Sequence, residues 1–184
     1  MKIVEIKVMR GPNFWSVRRS KLIQMKLDLE DLEQKPTNLI QGFKERMEQL
    51  MPSLYEHRCS EGEPGGFFNR VIEGTWMGHV IEHIELEIQT LTGMDTGFGR
   101  TRGTGIEGEY YVCFSYLEED AGVYAAKAAV RIAEALIDDK PYDLTDDIQR
   151  LREIREDTRL GPSTGCIVEE AGKRGIPFIR LNKH

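Results

Sequence analysis

Residues 76–92, WMGHVIEHIELEIQTLT, form the stretch around which the rest of the chain is expected to fold. Its apolar residues recur at helical spacing and share one arc: Met77, Val80, Ile81, Ile84, Ile88 and Leu91. Because an α-helix turns once every 3.6 residues, this arc predicts a helix with one buried side. We expect the helix to begin near Val71 and to end before Gly93.

The polar side of the same helix carries His79, Glu82 and His83 in the pattern H-x-x-E-H. Residues at i, i+3 and i+4 point from one face of a helix. Two imidazoles at i and i+4 can hold one Zn²⁺, and a carboxylate beside them can act on water bound to the metal. The pattern is the zincin order read backwards, as in inverzincin peptidases. A solvated polar helix face would show the same spacing, and it is the alternative.

Composition limits the class of protein. The 184 residues are 40% hydrophobic and 30% charged, which fits one globular domain with a possible appendage. No apolar run is long enough to cross a membrane, and the N-terminus alternates charged and apolar residues, unlike a signal peptide. The net charge of −6 argues against a general nucleic-acid binder. Three widely spaced cysteines indicate no disulfide framework and fit a reducing cytoplasm.

Alternation of apolar and polar residues predicts two antiparallel strands near the N-terminus, at 2–10 and 21–30. Their connection contains Trp15 followed by a basic cluster. It is either a contact surface for an extended ligand or an ordinary hairpin end whose aromatic rings cover the core. A third strand is predicted at 109–117, which is rich in tyrosine, valine and phenylalanine.

Two further helices are predicted, at 38–50 and at 119–138. The second is rich in alanine and can approach a neighbouring helix closely. If that neighbour carries the H-x-x-E-H pattern, Glu118 or Glu119 could become a third zinc ligand, and two histidines with one glutamate form a catalytic type of site. Acidic residues at a helix N-terminus are also explained by the helix dipole alone.

The glycine-rich segment 94–108 contains Arg100 and Arg102 and matches neither a Walker A loop nor a Rossmann fingerprint. We interpret it as a mobile flap beside the helix, whose arginines could bind carboxylates; a flexible crossover is the alternative. His57 lies just upstream of another glycine-rich loop, at 59–69. It could add a metal ligand, but a lone histidine is more commonly a surface residue.

Together these elements predict an α+β fold with a mainly antiparallel sheet of three or more strands. The helices are expected on one face, in the order β-β-α-α-β-α, with the 71–91 helix against the 119–138 helix. We predict a domain at 1–140 and a charged helical connector at 141–160. Residues 161–184 would then be the truncated start of a second domain, with a strand at its end.

Several segments resemble the N-terminal region of the cyanophycin synthetase family: RGPNFWS (10–16), WMGHVIEHIELEIQ (76–89), FGRTRGT (98–104), EYYVCFSYLEEDAGVYAAKAAV (109–130) and LGPSTGCIVEEAGKRGIPFIRLNKH (160–184). That family is a multidomain cytoplasmic ligase that uses ATP to build a poly-aspartate backbone bearing arginine on each side chain. The resemblance implies that ATP and Mg²⁺ belong to ATP-grasp and Mur-ligase-like domains outside these residues. The chain alone should not ligate anything.

The resemblance also implies a role and partners for this domain. The family's N-terminal domain is held to bind the polymer and, where the metal motif is intact, it resembles a zinc endopeptidase that cuts the polymer into primers. The expected partners are cyanophycin and the remaining domains, with a homo-oligomeric full-length protein and no nucleic acid or membrane. A noncatalytic module that docks the polymer is the alternative.

Carried over to this sequence, the family motif makes His79 and His83 the zinc ligands and Glu82 the catalytic carboxylate. Glu119 is the expected third ligand, with Glu118 as the alternative. The expected chemistry is polarisation of a main-chain carbonyl by zinc, with Glu82 accepting a proton from the zinc-bound water.

Arg100, Arg102 and Trp15 are the expected substrate contacts. The free carboxyl end of the polymer would suit either arginine, because a guanidinium binds a carboxylate through paired hydrogen bonds.

Overall fold

The computed structural model describes residues 1–176, 178 and 180, apart from the side chain of Ser60. The α-helices of this part are α1 (Phe43–Leu50), α2 (Gly66–Glu73), α3 (Met77–Thr90), α4 (Glu119–Ile137), α5 (Thr145–Thr158) and α6 (Pro162–Lys173). Short 3₁₀ turns connect several of them. None of the helices in the described part is both long and apolar enough to cross a membrane.

The strands are β1 (Lys2–Arg10), β2 (Lys21–Asp28), β3 (Gly99–Gly103) and β4 (Glu109–Ser115). They form one antiparallel sheet in the order β1-β2-β4-β3. Among the residues that the structure describes, β3 is therefore an edge strand that pairs only with β4.

One face of the sheet is buried beneath the helices because every second strand residue is apolar. Ile23 and Met25 of β2 and Val112 and Phe114 of β4 point into this core. Helix α4 packs over β1 and β2, helix α3 packs over β3 and β4, and the two helices contact each other. The α+β prediction, with helices on one face, is confirmed, as is the contact between the two predicted helices.

The opposite face of the sheet is covered in part by the β1–β2 connection. Trp15 is buried there against Leu22 and Cys113. Its indole Nε1–H donates a hydrogen bond of 2.8 Å to Oε1 of Gln24. Phe14, the neighbouring aromatic residue, is exposed.

Glycine accounts for two local differences from the sequence prediction. The single helix predicted at 71–91 is two helices, because Gly74 adopts a φ of 109° between α2 and α3. A Cβ at this position would lie 2.6 Å from Oδ1 of Asn38. The segment predicted as a mobile flap contains β3; glycine at both ends of that strand weakened its signal in the sequence.

Helix α5 lies in the predicted connector and is attached to α4 by side-chain hydrogen bonds. The buried carboxylate of Asp147 accepts hydrogen bonds from Tyr124 at 2.7 Å, Arg131 at 2.8 Å and Tyr142 at 2.5 Å. Leu151, one turn later, is fully buried. Most of the strand predicted at 177–181 falls outside the described residues, and the predicted domain boundaries stay a prediction.

Candidate metal centre

Helix α3 buries polar side chains together with its apolar arc. Glu82, His83, Glu85, Glu87 and Gln89 are all buried. The helix is enclosed by the sheet, by α4 and by the segment before it, so its polar side does not face solvent. The alternative of a solvated polar face is therefore excluded.

Three potential metal ligands converge beside α3: Cys59, His79 and His83. The Nε2 atoms of the two histidines are 3.1 Å apart, and the Sγ of Cys59 lies 3.2 Å from Nε2 of His79. Donors bound to one tetrahedral zinc at about 2.0–2.3 Å stand about 3.3–3.6 Å from each other. Small outward shifts would thus open a zinc site, and a set of two nitrogens and one sulfur suits that metal.

The loop before α2 brings Cys59 to the histidines. Cys59 begins a short 3₁₀ turn with a φ of 49°, which is uncommon for a residue other than glycine. The loop packs tightly on itself: a Cβ at Gly66 would lie 2.2 Å from the carbonyl oxygen of Arg58. Left-handed conformations of residues other than glycine cluster at functional sites.

The environment keeps both histidines neutral. Phe67 stacks on His83 with ring centroids 4.2 Å apart. Burial, with a smaller effect from the charge of Arg70, lowers the pKa of His79 to about 4. Burial and the two neighbouring histidines lower the pKa of His83 well below its usual value. Metal ligation requires neutral imidazoles, so this pocket supplies ligands in the correct protonation state at neutral pH.

Glu82, which precedes His83 on α3, faces the sheet at β3. Its Oε2 accepts a hydrogen bond of 2.7 Å from the hydroxyl of Thr101 on β3. Burial raises the pKa of Glu82 to about 7, although the Thr101 hydrogen bond and the charge of Arg100 act in the opposite direction. Gly99 leaves room for this carboxyl, because a Cβ there would lie 2.6 Å from Oε1 of Glu82. A carboxyl group with such a pKa can exchange protons near neutral pH.

The structure does not bring Glu119, the expected third ligand, to the histidines. Its carboxylate accepts hydrogen bonds of 2.6 and 2.5 Å from the guanidinium of Arg10. Strand β4 ends beside the last turn of α3, where Gln89 Nε2 donates to the carbonyl of Ser115 at 3.4 Å. Helix α4 therefore begins at the opposite end of α3 from His79, and Glu118 lies at that same end. Within the described residues, the third potential ligand beside the two histidines is Cys59.

The expected substrate contacts lie together on the sheet face that points away from the helices. The guanidinium of Arg102 is 5.9 Å from the ring centroid of Trp15, and that of Arg100 is 5.8 Å from the ring centroid of Phe98. Thr101, between the two arginines, points to the other face and contacts Glu82. One short strand thus carries basic residues on one face and supports the candidate catalytic carboxyl on the other.

His57 is closer to the cluster than the sequence suggested. Its Nδ1 lies 2.8 Å from Nδ1 of His83, and its Nε2 lies 2.7 Å from Oε2 of Glu87. The sequence contained no periodic signal for this contact, because His57 precedes α2 and reaches α3 only through the folded loop.

Comparison with known proteins gives the family. Residues 24–138 match the family model described as cyanophycin synthase-like N-terminal domain. The chain belongs to this family. The resemblance inferred from separate sequence segments is therefore confirmed.

The curated relatives are longer proteins of the same kind. Cyanophycin synthetases from Geminocystis herdmanii (strain PCC 6308) and Synechocystis sp. (strain ATCC 27184 / PCC 6803 / Kazusa) are each 51% identical over 185 residues, which cover 99% of this chain and 21% of theirs. The cyanophycin synthetase from Nostoc sp. (strain PCC 7120 / SAG 25.82 / UTEX 2576) is 52% identical, with 99% and 20% covered. The chain thus spans about a fifth of the length of these relatives.

Proposed function

We propose that this chain is a zinc-dependent endopeptidase domain that binds cyanophycin and cleaves its main chain into primers for a synthetase. The observation that carries the proposal is the convergence of three potential ligand atoms, from Cys59, His79 and His83, on a helix that also carries the buried carboxyl group of Glu82. Family membership supports cyanophycin as the substrate, because the curated relatives are named for its synthesis.

Cys59, His79 and His83 would hold the zinc ion. Three protein ligands leave one tetrahedral position open, which distinguishes catalytic zinc sites from closed structural ones. When bound, zinc would supply Lewis acidity, polarising the scissile carbonyl and making water more acidic. The protein must then provide a group that takes up and returns a proton.

Glu82 is suited to that proton transfer. Thr101 occupies its Oε2 and fixes the plane of the carboxyl, which leaves Oε1 to exchange a proton. With a pKa of about 7, the group can accept a proton from the attacking water and return it to the leaving amine. Burial keeps bulk water away from this exchange.

The open edge of β3 supports a polypeptide as the substrate. The hydrogen bonds from Thr104 N–H to Glu109 O and from Ser115 N–H to Phe98 O define which β3 residues face β4. By alternation along the strand, the backbone groups of Gly99 and Thr101 point to the open edge. An extended main chain can add to such an edge as a further strand, and here it would lie next to Glu82.

Arg100 and Arg102 would bind the polymer away from the scissile bond, and the buried Trp15 would support Arg102, whose guanidinium lies over its ring. The free carboxyl end of the polymer would suit either arginine, because guanidinium groups match carboxylates geometrically. The net charge of −6 suits the guanidinium groups of the polymer. This surface also supports the second candidate, a noncatalytic docking module, because it lies on the opposite sheet face from the metal ligands.

The remaining features of the longer protein follow from the same proposal. ATP and Mg²⁺ would act only in ligase domains outside this sequence, and residues 161–184 would lead into an ATP-grasp domain. The whole synthetase would be a cytoplasmic homo-oligomer in which this domain occupies residues 1–140, with 141–160 as the linker.

Zinc content and polymer length test the proposal. The purified chain should contain about one zinc per molecule and should shorten cyanophycin on a denaturing gel. Glu82→Gln should stop the shortening and leave zinc content and polymer binding intact, because it removes only the proton acceptor. If the chain holds no zinc and does not cleave but still binds polymer, the docking module is correct instead.

A further inference from the structure

A chain of hydrogen bonds runs from Glu87 through His57 to His83. Glu87 is buried, and its Oε1 accepts a hydrogen bond from the hydroxyl of Ser53. Its Oε2 lies 2.7 Å from Nε2 of His57. The other ring nitrogen of His57, Nδ1, lies 2.8 Å from Nδ1 of His83. The family motif does not include Ser53, His57 or Glu87.

The first link fixes the position of one hydrogen. Burial by itself would raise the pKa of Glu87, but hydrogen bonds from His57 and Ser53 lower it below its usual value. An ionised carboxylate can only accept hydrogen bonds. The hydrogen in this link is therefore on Nε2 of His57.

The second link follows from the first. With a single hydrogen, on Nε2, the ring of His57 presents Nδ1 as an acceptor. His83 must then donate from its own Nδ1, and its Nε2 is left as a lone pair. That atom faces Nε2 of His79, 3.1 Å away, within the candidate metal cluster.

We infer that Glu87 and His57 are positioning residues that hold His83 in the tautomer with hydrogen on Nδ1, so that its Nε2 is ready to bind a metal. Carboxylate groups often orient a metal-binding histidine directly, and their removal weakens metal binding. In this protein a second histidine is inserted between the carboxylate and the ligand. The inference rests on the proposed metal site, but it concerns a property of the metal-free protein.

Nitrogen-15 NMR of the histidine rings in metal-free protein tests the inference directly. Long-range proton–nitrogen correlations assign each tautomer, and His83 should carry its hydrogen on Nδ1. A hydrogen on Nε2 of His83, or a doubly protonated His57, would overturn the inference. This measurement needs no variant, no zinc and no cleavage, so it is decided separately from the proposed function.

Two substitutions of His57 separate positioning from packing. His57→Phe keeps a ring but removes the acceptor, so His83 should give mixed tautomer signals and zinc affinity should fall about 10–100-fold in a chelator competition. His57→Asn, whose carbonyl can take the place of Nδ1, should restore the single tautomer and most of the affinity. Equal losses in both variants would contradict the inference.

Glu87→Met and a surface control complete the series. Removing the carboxylate of Glu87 should give mixed tautomer signals for His83, even though His57 remains. Glu56→Gln changes an exposed neighbour of His57 and should alter neither the tautomer nor the zinc affinity. If Glu87→Met leaves the His83 signals unchanged, the carboxylate of Glu87 does not set the tautomer of His83, and the inference is wrong.

Discussion

Helices α3 and α4 lie side by side on the same face of the sheet but bury opposite kinds of residue. The buried residues of α4 are mainly alanines, which allow close approach to its neighbours. Helix α3 buries histidine, glutamate and glutamine as well as its apolar arc. Buried ionisable groups lower stability unless they are paired, so their concentration in one helix indicates a functional rather than a structural role.

Glu85 shows this difference most clearly. It is fully buried, and neither of its carboxyl oxygens has a hydrogen-bond partner within the described residues. Burial, with a smaller effect from Glu82, raises its pKa well above the usual value. Helix α4 contains no comparable buried acid among its residues. Single substitutions in or beside each helix can therefore test this difference in the role of their buried residues.

Cys59→Ser should give the largest effect, because it removes the sulfur of the proposed third zinc ligand beside His79 and His83 of α3. Zinc affinity in a chelator competition should fall more than about 100-fold, since loss of a direct ligand exceeds the 10–100-fold cost of losing an outer partner. Glu119→Gln, at the start of α4, is the matched control and should leave affinity unchanged. If Glu119→Gln lowers zinc affinity and Cys59→Ser does not, the third ligand is the one expected from the sequence.

Ala129→Leu should destabilise the protein, because α4 packs closely against its neighbours at this position. Ala129 is fully buried, and a larger side chain in a well-packed core lowers the free energy of unfolding by about 1–3 kcal/mol. Urea denaturation of metal-free protein measures this change. Lys127→Leu, on the exposed side of the same helix, should change stability by no more than about 0.5 kcal/mol. Similar losses in both variants would mean that α4 is not tightly packed at Ala129.

Glu85→Met should change the free energy of unfolding in the opposite direction and stabilise the metal-free protein. Replacing a buried, unpartnered polar group by an apolar one of similar size should add about 1–3 kcal/mol to the free energy of unfolding at pH 7. The native state keeps a proton on Glu85 that the unfolded chain releases above pH 4.5, so wild-type stability should fall as pH rises from that value.

The difference in the free energy of unfolding between Glu85→Met and the wild type should accordingly decrease as the pH is lowered toward 4. Urea denaturation at several pH values, with a chelator present, measures the trend. A variant less stable than the wild type at pH 7 would show that Glu85 has a favourable partner after all.

The sequence predicted most of the scaffold and, at the candidate site, His79, Glu82 and His83 but not Cys59. Alternation gave β1, β2 and β4, and the H-x-x-E-H spacing placed His79 and Glu82 on one helix, because both patterns depend only on near neighbours in the chain. Strand β3 was missed because its glycines weaken the strand signal. Cys59 was missed because a single cysteine without a spacing partner gives no metal pattern.

The sequence by itself therefore determined the helix and the face from which His79 and His83 project, since backbone periodicity fixes those directions locally. Only the tertiary structure decided which residues meet that face. The folded loop before α2 brings Cys59 and His57 to it, and the direction of β4 places the start of α4, with Glu119, at the far end of α3. Such contacts depend on where the loop and strand lie in three dimensions, and residue spacing along the chain does not encode those positions.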